Sequence, residues 1–185
     1  MADITLSYKG STIATMSASG SKTIQTKEKY CEDDISLVYQ RPDDILNNPD
    51  FTVNTTGLLS WDASSSGTGE NSGVRAIDGW YIMNTTATQG ASGLTVAPAT
   101  INAFVLQEVN SYYVGKNMLL SVTVDNIEYH TTAIMTGTTS MNIDTPWGNI
   151  YVYSYGAHKF FVNVRFTDQT QHVINKVSMH VVPAE

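Results

Sequence analysis

The chain has 185 residues, a formal net charge of −7, 42% hydrophobic and 15% charged residues, and one cysteine. The apolar content excludes disorder, and a lone Cys31 excludes an internal disulfide framework or a multi-cysteine zinc site. The acidic balance speaks against an electrostatic grip on nucleic acid or an anionic membrane, no apolar run approaches a bilayer span, and the first residues lack the basic and apolar regions of a secretory signal.

Residues 3–40 read as three short strands, 4–8, 12–17 and 35–40, with a possible fourth at 23–26. Gly10-Ser11 and Ser19-Gly20-Ser21 supply turns. Ile4, Leu6 and Tyr8 alternate in the first strand, and Ile35, Leu37 and Tyr39 in the last. Arg41-Pro42-Asp43-Asp44 breaks the pattern, because proline lacks a ladder donor and restricts the residue before it. The expected organisation is a small β module over 1–41, a linker over 42–44 and one antiparallel sandwich over 45–185. A module of about 40 residues buries little alone, so it is expected to dock on a partner, a neighbouring subunit or the larger domain.

Within the larger segment, residues 62–73 form a polar loop rich in Ser and Gly, and 85–93 reads as a second, shorter loop. In 117–126, Met118, Leu120, Val122 and Val124 fall on one face and Ser121, Thr123 and Asp125 on the other; in 159–167, Phe160, Val162, Val164 and Phe166 alternate with Phe161, Asn163 and Arg165; Val177, Met179 and Val181 follow near the C-terminus. Period-2 alternation marks strands with one buried face. No stretch carries a helical period free of Gly or β-branched runs. The expected fold class is all-β, a sandwich or barrel.

Chemistry-bearing patterns are sparse. Glycoside hydrolysis needs two facing carboxylates, one with a raised pKa, whereas Glu70, Glu108, Glu128, Asp50, Asp62, Asp78, Asp125, Asp144 and Asp168 are scattered. There is no Gly-x-Ser-x-Gly elbow and no Gly-rich loop closed by Lys-Ser/Thr. His130, His158, His172 and His180 lack metal-ligand spacing, and the acidic neighbours of Cys31 disfavour a thiolate. The expectation is a protein that is not an enzyme. Asn54-Thr55-Thr56 and Asn84-Thr85-Thr86 match the glycosylation pattern but read as turns.

The aromatic residues are the functional lead. Trp61, Trp147 and the run Tyr151, Tyr153, Tyr155 sit beside Gly- or Ser-rich segments, and the three tyrosines share one strand face opposite Ile150, Val152 and Ser154. Such residues suit either a protein interface or a platform for sugar rings. Trp80, between Gly79 and Tyr81, is expected in the core.

Two stretches carry a family resemblance. Ile4-Thr-Leu-Ser-Tyr-Lys-Gly, Lys22-Thr-Ile-Gln-Thr and Lys29-Tyr-Cys-Glu-Asp-Asp-Ile-Ser-Leu resemble a short module of bacteriophage and prophage structural proteins from Gram-positive hosts. Ile45-Leu-Asn-Asn-Pro-Asp-Phe, then Asp78-Gly-Trp-Tyr, Phe104-Val-Leu-Gln-Glu, Val114-Gly-Lys-Asn-Met-Leu-Leu-Ser-Val and Ile174-Asn-Lys-Val-Ser-Met-His-Val resemble the strands of jelly-roll domains in phage tail fibres and related virion proteins. There an Asn-Pro-Asp-Phe leader strand precedes an Asp-x-Trp strand. The resemblance implies a virion surface protein, such as a capsid decoration, head fibre or small tail accessory, anchored by 1–41 to capsid or tail proteins. A symmetric homo-oligomer, with a trimer leading, follows from particle symmetry. The acidic charge then suits the virion exterior. The other class that shares this scaffold is the carbohydrate-binding module, which implies adhesion to a cell-surface glycan. Such modules often hold a structural calcium. Here Asp50 is present, but the last strand offers Lys176, Ser178 and His180 in place of a carboxylate, so no cofactor is expected.

Overall fold

The computed structural model describes residues 44–67, 72–137, 139–155 and 159–183 in full, and the backbone of strands within 3–8, 11–17 and 35–39. The chain divides into two compact units, Met1–Asp43 and Asp44–Glu185. In the first, β1 (Asp3–Tyr8), β2 (Ser11–Ser17) and β3 (Ile35–Tyr39) form an antiparallel sheet in the order β2-β1-β3. The β1–β3 register sets Ile4 against Tyr39, Leu6 against Leu37 and Tyr8 against Ile35. The strand expected at 23–26 lies outside the described residues.

The second unit is an all-β sandwich of two six-stranded sheets. Its strands are β4 (Ser60–Asp62), β5 (Val74–Arg75), β6 (Tyr81–Met83), β7 (Thr85–Gly90), β8 (Gly93–Pro98), β9 (Ala103–Val109), β10 (Asn117–Val124), β11 (Ile127–Ile134), β12 (Ser140–Thr145), β13 (Gly148–Tyr155), β14 (Lys159–Phe166) and β15 (His172–Val181). Sheet I runs β11-β10-β15-β8-β7-β4 and sheet II runs β12-β13-β14-β9-β6-β5. The last two strands insert beside much earlier ones, β15 between β10 and β8 and β14 between β13 and β9. That long-range closure belongs to jelly-roll sandwiches.

Alternation accounts for the core. Met118, Leu120, Val122 and Val124 point inward from β10, and Phe160, Val162, Val164 and Phe166 from β14, all at 3% exposure or less. Each contributes on the order of 1.5–3 kcal/mol through apolar area removed from water. In β15 the alternation breaks: Ile174 and Val177 are both buried, because the ladder to β10 shifts register at Thr123/Val124. Val181, expected inward, is 45% exposed at the strand's end.

Two expectations about local structure are corrected. Residues 85–93 are no loop: β7 and β8 form a hairpin there with the pairing Gly90–Gly93 at its tip. Thr85 and Ala87 point inward, and the β-branched threonines suit a pleated surface. Conversely, the segment around Asn-Pro-Asp-Phe is no strand. Asn48 and Phe51 adopt positive φ, 52° and 58°, and Pro49 has no N–H for a ladder. The segment is pinned by side chains instead. Phe51 packs on Trp80, ring centroids 5.1 Å apart, and the Trp80 indole N–H donates to the Asn48 carbonyl at 3.0 Å. Trp80 is fully buried. Gln107 accepts from the Asn47 N–H and donates to its carbonyl. Asp44 Oδ1 accepts from the Leu46 and Met179 N–H groups, tying the unit's first residue to β15.

A second polar cluster closes the opposite part of the sandwich. His172 is buried, with Nδ1 2.7 Å from Asp125 and Nε2 3.2 Å from Asp168. Its ring stacks on Phe166 at 5.4 Å. Asp125 also accepts from the Val173 N–H, so one carboxylate fixes the β10–β11 turn against β15.

The loop before β4 is organised by Asn54 and Asp78. Asp78 accepts from the Thr55 hydroxyl and N–H, and those bonds hold its carboxyl below the usual 3.8. A depressed carboxyl lends stability that is present above the unfolded-state value and is lost as pH falls through the folded one. The Thr55 amide resonance is therefore expected to move with a midpoint below 3.8 when followed by NMR; a midpoint at or above that value contradicts the assignment.

Candidate recognition face

The outward faces of the two sheets differ in chemistry. Sheet I presents Thr86, Thr88, Thr95, Ser121 and Thr123, a hydroxyl-rich surface. Sheet II presents aromatic side chains interspersed with charged and amide groups. Its register lines up two outward rows. One runs Tyr151, Asn163, Leu106, Tyr81, Arg75 across five strands, and the next runs Tyr153, Phe161, Glu108.

Tyr151, Tyr153 and Tyr155 follow one another along β13 with neighbouring rings nearly perpendicular, at 6.4 Å and 4.9 Å, and Tyr155 meets Phe161 of β14 at 5.5 Å and 84°. Edge-to-face geometry places the positive ring edge on the negative face of its neighbour, so the rings hold each other in place. Tyr153 remains 37% exposed. Burial of Tyr151 pushes its hydroxyl above the usual 10.0; nearby Arg165 opposes the shift, and Tyr155 and Tyr153 add to it. Behind this ladder the face dips into a depression of about 240 Å³ lined by Gly73, Tyr81, Met83, Leu106, Glu108, Lys159 and Phe161.

The structure keeps the three tyrosines on the surface but removes both tryptophans from it, correcting the expected platform. Trp61 is the inward residue of β4 and 8% exposed. Trp147 is 6% exposed and packs against Phe166 at 5.1 Å, Tyr129 at 6.0 Å and His172 at 6.0 Å. Its glycine neighbour suggested a loop tip, yet Gly148 serves a close approach: a Cβ there would collide with the Arg165 carbonyl. The two tryptophans also lie far apart in sheet order. Trp61 belongs to one terminal strand of sheet I, whereas Trp147 joins β12 to β13 near the opposite edge, against Tyr129 of β11.

Sequence reasoning missed Tyr81, Leu106, Glu108 and Phe161. Phe161 carried a legible signal, since placing Phe160 and Val162 inward leaves an aromatic outward on the solvent side. The others needed the β9–β6 and β9–β14 registers, which join strands distant in sequence.

Two of the described carboxylates have pKa values shifted downward. Asp62 is held below its usual 3.8 by hydrogen bonds from Ser64, as Asp78 is by Thr55, the reverse of the raised value a general acid requires. Asp50 accepts from the Thr52 hydroxyl at 2.9 Å. Among the described residues, no three His, Cys, Asp or Glu side chains are grouped to hold a metal ion, and no helix is long and apolar enough to cross a membrane. Asn84 of the second glycosylation-like triplet is buried and donates to the Asn102 carbonyl. No family model matches the chain, and no curated protein matches it.

Proposed function

We propose that this is a non-enzymatic surface protein of a phage virion, a capsid decoration, head fibre or small tail accessory. On this reading the Met1–Asp43 unit attaches the chain to capsid or tail proteins, and the Asp44–Glu185 sandwich is displayed on the exterior. The motifs at 4–37 and 45–181 support it, together with the division into two units at the Pro42 break. Symmetric assembly, as a trimer, follows from the symmetry of particles, and no nucleic acid or membrane contact is required. The observation that supports a contact role is the outward tyrosine ladder of β13 in sheet II, beside Phe161 and in the same sheet as Tyr81, with Tyr153 and Tyr81 each 37% exposed.

Deleting residues 1–43 tests the attachment. Because the sandwich has its own core, the truncated chain is expected to stay folded and soluble while failing to join particles in a reconstitution assay. Normal incorporation of the truncated chain overturns the anchor assignment.

A second reading, adhesion to a cell-surface glycan, is favoured by the same face. Tyr153, Tyr155 and Phe161 offer ring surfaces for the apolar face of a sugar, and the exposed Glu108 stands opposite Phe161 as a hydrogen-bonding group. The contact residues on this reading are Tyr151, Tyr153, Tyr155, Phe161 and Tyr81, without Trp61 or Trp147.

A further inference from the structure

We infer that β11 is a docking edge for a second copy of this chain, the two strands pairing antiparallel about a two-fold axis; this goes beyond the anchoring and display roles proposed above. Four strands end the two sheets, β11 and β4 in sheet I and β12 and β5 in sheet II. Three of them are poor templates for pairing. β4 and β5 have three and two residues, and the β12 ladder shifts register between Ser140 and Ile143, with Met141 at a φ of 57°. β11 has eight residues, Ile127–Ile134, in unbroken register with β10. It contains no proline and no lysine, the residues that most often guard an edge.

Hairpin geometry fixes which of its backbone groups are free. Asp125 and Asn126 have positive φ, 52° and 65°, and join Val124 to Ile127 in a two-residue turn of the primed kind. Val124 and Ile127 therefore form a hydrogen-bonded pair, and bonding alternates from there. Ile127, Tyr129, Thr131 and Ala133 bond to β10, whereas the N–H and C=O groups of Glu128, His130, Thr132 and Ile134 point away from the sheet. All four of these residues are exposed, and among the described residues no backbone partner engages them on that side.

A second β11 matches this edge in full. Only one antiparallel register pairs every free group on both strands: Glu128 with Ile134 of the second copy, and His130 with Thr132 of the second copy, each pair formed twice about the axis and exchanging two backbone bonds. Side chains suit that register. Ile134, 57% exposed, would lie against the methylenes of the opposing Glu128. Glu128 is the strand's one carboxylate, and its two copies would stand about 20 Å apart, beyond the screening length at physiological salt, so like charges do not meet. Thr131 faces Thr131 of the second copy on the axis. The contact joins sandwiches and is separate from any assembly through residues 1–43.

The test is oxidative cross-linking of the full chain carrying Cys31→Ser and one added cysteine. Thr131→Cys would meet its own copy across a pair without backbone bonds, where Cα atoms approach to about 4.5 Å, within disulfide reach; a disulfide-linked dimer is expected. Ala133→Cys would lie about 14 Å from its copy along the strands, and no cross-link is expected. In sedimentation the wild type is expected to contain at least twice as many chains per particle as Thr132→Pro, which removes an edge-facing donor and leaves the β10 ladder intact. If T132P does not fold, the two cysteine variants decide alone. No cross-link at Thr131→Cys, or equal cross-linking at Ala133→Cys, overturns the pairing. Equal sedimentation of the wild type and a folded T132P also overturns it and leaves the edge to an extended peptide of another protein.

Discussion

Replacing Gly93 by alanine is expected to cost about 4 kcal/mol or more, enough to abolish a stable fold in a domain of ordinary marginal stability. Gly93 opens β8 with φ of 135°, and a Cβ built on it would collide with the Ile174 carbonyl and crowd the Asn175 Cα. Both belong to the backbone of β15, held by its ladders to β8 and β10. Backbone fixed on two sides cannot give way as a side chain tip can. The control is Gly115→Ala. Its φ is +83°, yet nothing lies within 4 Å of the added Cβ, so only left-handed strain of about 1–2 kcal/mol applies. Urea denaturation measures both. Similar midpoints for the two variants would contradict the close packing of β8 on β15.

The second large effect concerns Trp147. Truncation to alanine is expected to destabilise the sandwich by about 3–5 kcal/mol, the range for a buried aromatic, because the indole fills the space between Phe166, Tyr129 and His172. Tyr153→Ala removes a side chain that is 37% exposed and should cost about 1 kcal/mol or less. The two variants separate core from surface: Trp147→Ala lowers stability without a specific loss of ligand contact, and Tyr153→Ala does the opposite. A stable W147A protein with weakened binding would return Trp147 to the recognition surface.

Strand identity was legible wherever alternation was strict. Phe160 to Phe166 and Met118 to Val124 followed the period-2 rule to the residue, since each of those strands buries one face against the opposite sheet. What escaped the sequence depends on register and turn chemistry. A shift between Thr123 and Val124 moves the inward set of β15. The threonines of 85–88 belong to a strand although their composition resembles a loop. The tyrosines were placed correctly because Ile150 and Val152 define the inner face of their own strand. The tryptophans were not, because an indole beside a glycine looks the same in sequence whether it caps a loop or turns under the sheet. Glu108 and Tyr81 join Phe161 only through pairing of strands separated by tens of residues, information that no local pattern holds.

The proposal that bears most on recognition is that the outward aromatic face of sheet II is a contact surface, for a glycan on the second reading. A glycan array probed with the full chain and with the combined Tyr153→Ala, Phe161→Ala variant tests it most directly. The wild type is expected to bind a defined set of glycans. The variant is expected to lose at least about tenfold in affinity, equivalent to about 1.4 kcal/mol, while its unfolding remains a single cooperative transition. Retention of the wild-type pattern by the variant, or no glycan binding by the wild type, would contradict the glycan reading of this face.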